Sequence, residues 1–370
     1  MKIIEVAQEL MKFRTETGNT KEITEAMNYI KNMMTLIGAK VDIFTKKDTA
    51  PVIFIRNKNS LELDALALGH IDVVPADDKM FKPTIKDGKL YGRGSLDMKS
   101  FAAVALNSMQ YVIEHKLPLK FGIILSSDEE KGSHGTKAFL EKYAKIKADV
   151  VLDNDVGGDI TKLIVKCKNP VFVKIKTHGK EAHGSLPWEG IDANELMFKV
   201  LENVRKFYPA YDLNGKKPRN KWIDTLHVAK IEGGKVANII SDYCEALCDI
   251  RLVETSKLSD LKKNLDKAMI KGAEYEIVSS STPVVMDEKN PYIMAYKKLA
   301  ENILGKKLRF EYEGGATDAR EFAVRGSTVI MHSGSGEGMH ASGEYVDIAS
   351  VEKLAEIQIQ FLQNLACNKK

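Results

Sequence analysis

Leu63-Asp64-Ala65-Leu66-Ala67-Leu68-Gly69-His70-Ile71-Asp72 is a short, mostly apolar run that ends on a histidine and a carboxylate. Runs this short and this apolar are typical of strands buried on both faces, as in parallel sheets. The pattern recurs downstream. Residues 121–126 form an apolar run before Asp128-Glu129-Glu130, and residues 150–152 form another before Asp153-Asn154-Asp155. Residues 52–55 are a further strand, and residues 98–114 and 136–143 have helical patterns. Alternating strands and helices predict a mainly parallel sheet with helices on both faces. In such sheets, sites gather beyond the carboxyl ends of the strands, which is where His70, Glu129 and Asp155 fall.

The rhythm changes near Val171. Strands are expected at 171–177, 226–231, 236–251 and 275–278, with a Gly233-Gly234 turn between the second and third. Helices are expected at 194–207 and 258–271. This β-α-β-β-α-β order is the ferredoxin-like α+β module. After Pro283 the chain returns to helix-strand elements ending in a helix at 354–365. Residues 1–170 and 284–370 are therefore expected to build one α/β domain, with 171–283 inserted into it.

A chain of 370 residues exceeds a single ordinary core, in agreement with two domains. An apolar fraction of 44% and a net charge of +4 suit a soluble globular protein. The lysines are scattered among nearly as many acids, with no basic stripe interleaved with aromatics, so no nucleic-acid partner is expected. The short basic stretches 116–120 and 216–221 are expected to be solvated loops. The first residues have apolar positions at helical spacing broken by charge, unlike a secretory leader. No apolar run approaches membrane-spanning length. Cys167, Cys244, Cys248 and Cys367 form neither a CxxC pair nor a dense framework, which suits a reducing cytoplasm. Cys244 and Cys248 are expected to be buried small hydrophobes.

Two histidines and several carboxylates, each beside glycines or at a strand end, are the ligand types that a pair of hydrolytic zinc ions needs. His70 and Asp72, two apart at a strand end, project to one side, so Asp72 is placed to fix the tautomer of a metal-binding His70. They suit equally a surface histidine beside a turn-forming aspartate. Asp97 follows Gly92-Arg93-Gly94 and precedes a helix, which suits a carboxylate bridging two metals or a helix cap. Glu129 and Glu130 are adjacent acids whose like charges cost stability unless something positive lies nearby. One could ligate a metal while the other transfers protons. Asp153 and Asp155 carry the same ambiguity. His340 lies among glycines that permit tight backbone. His115, His134, His227 and His332 are expected to be ordinary.

Taken in order, these motifs closely resemble the co-catalytic zinc amidohydrolases that include aminoacylase, succinyl-diaminopimelate desuccinylase, acetylornithine deacetylase and the glutamate carboxypeptidases. The resemblance spans essentially the whole chain. It rests on residues 69–72 with Pro75, 92–99, 128–130, 179–183 with Pro187 and Gly190, 249–251, 315–318, and His340 with Glu344-Tyr345. Ser100 stands where the family usually has glycine, and Ser241 where many relatives have proline.

The resemblance implies two zinc ions per subunit, with cobalt or manganese as alternatives. His70, Asp97 and Asp155 would hold one, and Asp97, Glu130 and His340 the other, with Asp97 bridging. The position of Asp155 is Glu or Asp across the family. Glu129 would be general base and acid, and Asp72 would orient His70. The inserted domain would be a lid and dimerisation domain, whose His183 reaches the partner subunit's active site in a homodimer. Asn238 and Arg251 would contact the substrate. The implied activity is metal-dependent hydrolysis of an amide bond in a small substrate or short peptide with a free carboxylate. The loop around Ser185-Leu186-Pro187-Trp188 leans this towards N-acyl amino acid deacylase or desuccinylase. The alternatives are a di- or tripeptidase or carboxypeptidase of the same family, or an inactive homologue acting as a binding or regulatory protein.

Overall fold

The computed structural model describes residues 2–208 and 222–367, so the basic stretch 216–221 lies outside the described residues. The chain divides into two compact units. One comprises Met1–Val165, Met286–Glu313 and Thr317–Lys370, and the other Lys166–Val285 with Gly314–Ala316.

The first unit is built on a sheet whose four central strands run parallel. Their order is Phe121–Ser126, Glu62–His70, Lys147–Asp153 and Thr328–Met331. Antiparallel strands flank them, Val52–Arg56 and Lys40–Phe44 on one side and Lys162–Cys167 on the other. The expected α/β class holds, and the antiparallel flanks are additions to it. One has a simple cause: residues 57–61 are too few for a parallel crossover, so Val52–Arg56 must run against Glu62–His70.

Alternate strand residues face opposite ways. Ile53, Ile55, Ala65, Ala67, Phe121, Ile123 and Leu125 share a core with the helices Ile3–Lys12, Lys99–Glu114 and Ile348–Cys367. On the other face Phe54 meets Phe139 of the helix His134–Lys142, ring centroids 5.6 Å apart. Each such buried aromatic contributes about 1.5–3 kcal/mol of transfer free energy. The register brings the strand ends together: His70 pairs Ser126, and Leu68 pairs Asp153.

A second, small antiparallel sheet links Thr84–Lys86, Lys89–Tyr91, Tyr345–Asp347 and Gly336–Glu337. Tyr91 pairs Tyr345, so the stretch after residue 91 lies beside the stretch before residue 345. Strands of two or three residues carry no readable periodicity, which is why this sheet was not foreseen.

The second unit has four antiparallel strands in the order Thr225–Gly233, Tyr243–Leu252, Asn169–His178 and Ala273–Ser280. Val171, Val173, Ile175, Cys244, Ala246, Cys248 and Ile250 pack with the helices Ala193–Arg205 and Leu258–Ala268. This is the ferredoxin-like arrangement, with Cys244 and Cys248 buried in its core. One boundary differs from expectation: the strand expected from residue 236 begins only at Tyr243. The preceding residues lie along the 179–191 loop. Gly184 N donates to Asn238 O at 2.8 Å and Ile240 N to Ala182 O at 2.9 Å. Bonds spent on that loop are not available to a sheet ladder. Among the described residues, no helix is long and apolar enough to cross a membrane.

Candidate metal centre

His70 is the last residue of its strand and is almost wholly buried. Its Nδ1 lies 2.9 Å from the backbone carbonyl of Asp72. A carbonyl only accepts, so Nδ1 carries the hydrogen and the lone pair of the neutral ring is at Nε2. Nε2 is 3.0 Å from Asp97 Oδ1 and 3.8 Å from Asp155 Oδ1. On the other side of Asp97, Oδ2 is 2.9 Å from His340 Nε2, which is 3.2 Å from Glu130 Oε2. Two groups with metal-ligand spacing result, His70–Asp97–Asp155 and Asp97–Glu130–His340, and Asp97 belongs to both.

Asp97 caps no helix: Met98 occupies the capping position before Lys99–Glu114. Asp155 joins a ligand group and Asp153 does not. Asp153 ends its strand fully buried, and its Oδ1 accepts from Asp155 N at 3.0 Å. Glu129 and Glu130 begin a short 3-10 turn, Glu129–Lys131. Glu130 supplies a ligand-group oxygen and Glu129 belongs to neither group. The Asp72 carboxylate is 3.4 Å from His70 Nδ1, farther than its own carbonyl. Its oxygens accept from Glu129 N at 3.2 Å, Glu130 N at 3.3 Å and Thr17 Oγ1 at 2.8 Å. Asp72 thus sets the histidine and the glutamate pair together. His340 takes a left-handed backbone with φ 61°, entered through Gly338, where a Cβ would meet Glu344 backbone at 3.0 Å.

The electrostatics are those of acids gathered around two imidazoles. Burial, then the charge of Asp155, pushes the Glu129 carboxyl well above the usual carboxylate range. Burial, then Asp155, pushes Asp153 up to about 7. Hydrogen bonds to Asp97 and Glu130 push His340 up to about 10. Burial acts most strongly on His70, downward, but its contacts with Asp155, Asp72 and Asp97 together raise it well above an ordinary histidine. Two carboxylates about 4 Å apart repel by roughly 4 kcal/mol at an effective dielectric of 20. Several such pairs favour a bound cation. Glu130 Oε1 is also buried without a hydrogen-bond partner, as a ligand atom would be. Imidazole nitrogens with carboxylate oxygens form a donor set that fits zinc, and cobalt or manganese as well.

Two residues given no role from the sequence support this centre. Glu344 is fully buried and accepts four hydrogen bonds from the 93–97 loop. Thr17 holds Asp72. The signal for Glu344 was present, since it lies four residues after His340, but its partners are some 250 positions away. His332 is buried against Tyr296 and Ile160 O, and neither it nor His115, His134 or His227 joins a ligand group among the described residues.

The second unit carries the remaining candidates. His183 is exposed, and its Nδ1 accepts from Ser185 N at 3.2 Å, which leaves the hydrogen on Nε2. His183 forms a backbone bridge with Ile239, so Asn238 lies beside it. Arg251 is not brought to them. It sits at the other end of the strand Tyr243–Leu252, eight positions from Tyr243, or roughly 26 Å. Its guanidinium is already held by Asp249 at 2.8 and 2.9 Å.

Residues 66–364 match the family model described as Peptidase family M20/M25/M40. The chain belongs to that family. It is therefore a metal-dependent hydrolase. Among curated proteins it is 28% identical over 316 residues to an acetylornithine deacetylase of Pectobacterium atrosepticum, covering 81% of this chain and 79% of that one. Among solved structures, aminopeptidase PepT from Bacillus cereus superposes with TM-score 0.79 at 20% identity, covering 99% and 98% of the two chains. A metallo-carboxypeptidase of the M20 family from Sulfolobus solfataricus gives 0.82 at 18% identity, covering 99% and 100%. At these identities the structural likenesses speak for the fold alone.

Proposed function

We propose that this M20 chain cleaves the amide bond of a small carboxylate-bearing substrate of the N-acyl amino acid type, using two zinc ions per subunit, with cobalt or manganese able to replace them. The observation that carries the reading is the pair of ligand groups sharing Asp97, with Glu129 beside Glu130 in one turn but in neither group. His70, Asp97 and Asp155 hold one ion, and Asp97, Glu130 and His340 the other. Bound there, the metals supply Lewis acidity, lowering the pKa of water and polarising the scissile carbonyl.

The chain's own residues do the rest. Glu129 takes a proton from the attacking water and gives it to the leaving nitrogen. The Asp72 carboxylate holds Glu129 by its backbone N–H, and the Asp72 carbonyl keeps His70 in the tautomer that offers Nε2. In a homodimer formed through the inserted unit, the partner subunit's His183 donates its Nε2–H to the developing oxyanion. Asn238, beside His183 in each chain, contacts the substrate from the same lid. Arg251, whose Nε and Nη2 are held by Asp249, offers its remaining N–H donors to a substrate carboxylate. Support for the dimer comes from the outer edge of Thr225–Gly233, which pairs with no strand among the described residues. Beside it is a groove of about 380 Å³ lined by Phe198, Leu201, Glu202, Arg205 and Ile231.

The similarity to acetylornithine deacetylase favours deacylation over peptide cleavage. The test is a hydrolysis screen of the zinc-loaded protein. Turnover of N-acyl amino acids well above di- and tripeptides is expected; turnover of peptides alone would transfer the assignment to a peptidase.

A further inference from the structure

Glu344 is fully buried, and its two carboxylate oxygens and its carbonyl are spent on one loop. Its Oε2 accepts from Arg93 Nη1 at 2.5 Å and Gly94 N at 3.2 Å, and its Oε1 accepts from Leu96 N at 2.8 Å and Asp97 N at 3.1 Å. Its carbonyl accepts from Gly92 N at 3.1 Å. The loop needs such an acceptor. Gly92 and Gly94 have φ of 143° and 81°, so this backbone is neither helix nor strand; within itself it satisfies only Ser95 N, on Gly92 O, and its other N–H groups need acceptors from outside. A charged acceptor forms stronger bonds than a neutral one, and Arg93 balances its charge.

The same residue belongs to the segment that carries His340. Gly338 approaches Glu344 backbone so closely that a Cβ there would lie 3.0 Å from it. Glu344 therefore ties the loop that presents Asp97 to the turn that presents His340, whose side chains are 2.9 Å apart.

We propose that Glu344 is the positioning residue for the shared carboxylate: it holds the 92–97 loop in the form that turns one Asp97 oxygen towards each metal position. This rests on the reading of Asp97 as a shared ligand. It has a distinctive consequence. Loss of a ligand to one ion weakens one site, whereas loss of Glu344 weakens both.

The test is titration of the metal-free protein with cobalt(II), followed by calorimetry and by the visible d–d absorption, alongside the melting temperature of the metal-free form. In Glu344→Gln the shape is kept, but the charge is lost and an amide donor is set among donors. Both cobalt equivalents should bind more weakly, by about 10–100-fold for each, as is usual when a partner of a metal ligand is lost, with an altered d–d spectrum. A folded Glu344→Gln protein with wild-type affinities and spectrum would overturn the proposal, even if its melting temperature had fallen. Should Glu344→Gln not fold, Glu344→Asp is read by the same two measurements, and wild-type values there overturn it equally. Asp97→Asn in the same titration separates the two ideas. If it binds both ions normally, the shared-ligand reading itself fails. If it loses them while Glu344→Gln does not, only the role of Glu344 fails.

Discussion

Glu129 and Glu130 are neighbours in one turn, yet only Glu130 contributes to a ligand group. The difference makes a sharp expectation. Glu129→Gln removes proton transfer without removing a ligand, so kcat should fall by about 10²–10⁴-fold while metal content stays at the wild-type level. Loss of metal in that variant would mean that the two glutamates have exchanged roles. Asp155 and Asp153 are separated in the same way. Metal analysis of purified variants should find Asp155→Ala depleted and Asp153→Ala not, because Asp153 is turned into a buried hydrogen bond to Asp155 N. A further expectation concerns protons. In the metal-free protein His340 is pushed up to about 10 by Asp97 and Glu130, so at neutral pH it holds a proton that must leave before Nε2 can ligate. Zinc binding should therefore release protons, and zinc affinity should rise with pH between 6 and 8. Calorimetry in buffers of different ionisation enthalpy measures the release; zinc affinity independent of pH would contradict it.

At the level of elements, the strands that end in chemistry were legible because apolar runs such as 63–68 and 121–126 stand out against their flanks. The helix after Asp97 and the ferredoxin-like order of the inserted unit were legible for the same reason. The candidate ligands were legible as residue types, but their grouping came from the family resemblance, since register between distant strands is not written in either strand alone. The three-residue strands Lys89–Tyr91 and Tyr345–Asp347 left no pattern, and with them the role of Glu344 stayed hidden. The stretch before Tyr243 reads as strand because Val236, Ile239 and Ile240 look strand-like, whereas Asn238 O and Ile240 N are bonded to the His183 loop. That loop is packed too tightly to accept a side chain at Gly179, where a Cβ would lie 2.1 Å from Ile191 O and 2.7 Å from Ser241 O. Gly179→Ala should displace the loop and lower kcat with metal content unchanged. Wild-type turnover in this variant would remove the His183 loop from catalysis.

For the whole molecule, the proposal joins two chains and two metals. If the partner subunit's His183 completes each site, a His183→Ala protein and a Glu129→Gln protein, each nearly inactive, should regain activity when their subunits exchange. Random exchange makes half the dimers mixed, with one intact site of two in each, so recovery should approach about a quarter of wild-type sites. Phe198→Asp, placed in the groove beside the edge strand, should give a monomer by light scattering that still binds metal. Beneath all of this lies the sharing of Asp97 between two ions, and it can be observed directly. Crystals of the zinc-loaded protein, measured at the zinc absorption edge, should show two anomalous peaks per chain, roughly 3.5–4 Å apart, one beside each Asp97 oxygen. A single peak, or two peaks of which only one touches Asp97, would contradict the dinuclear centre.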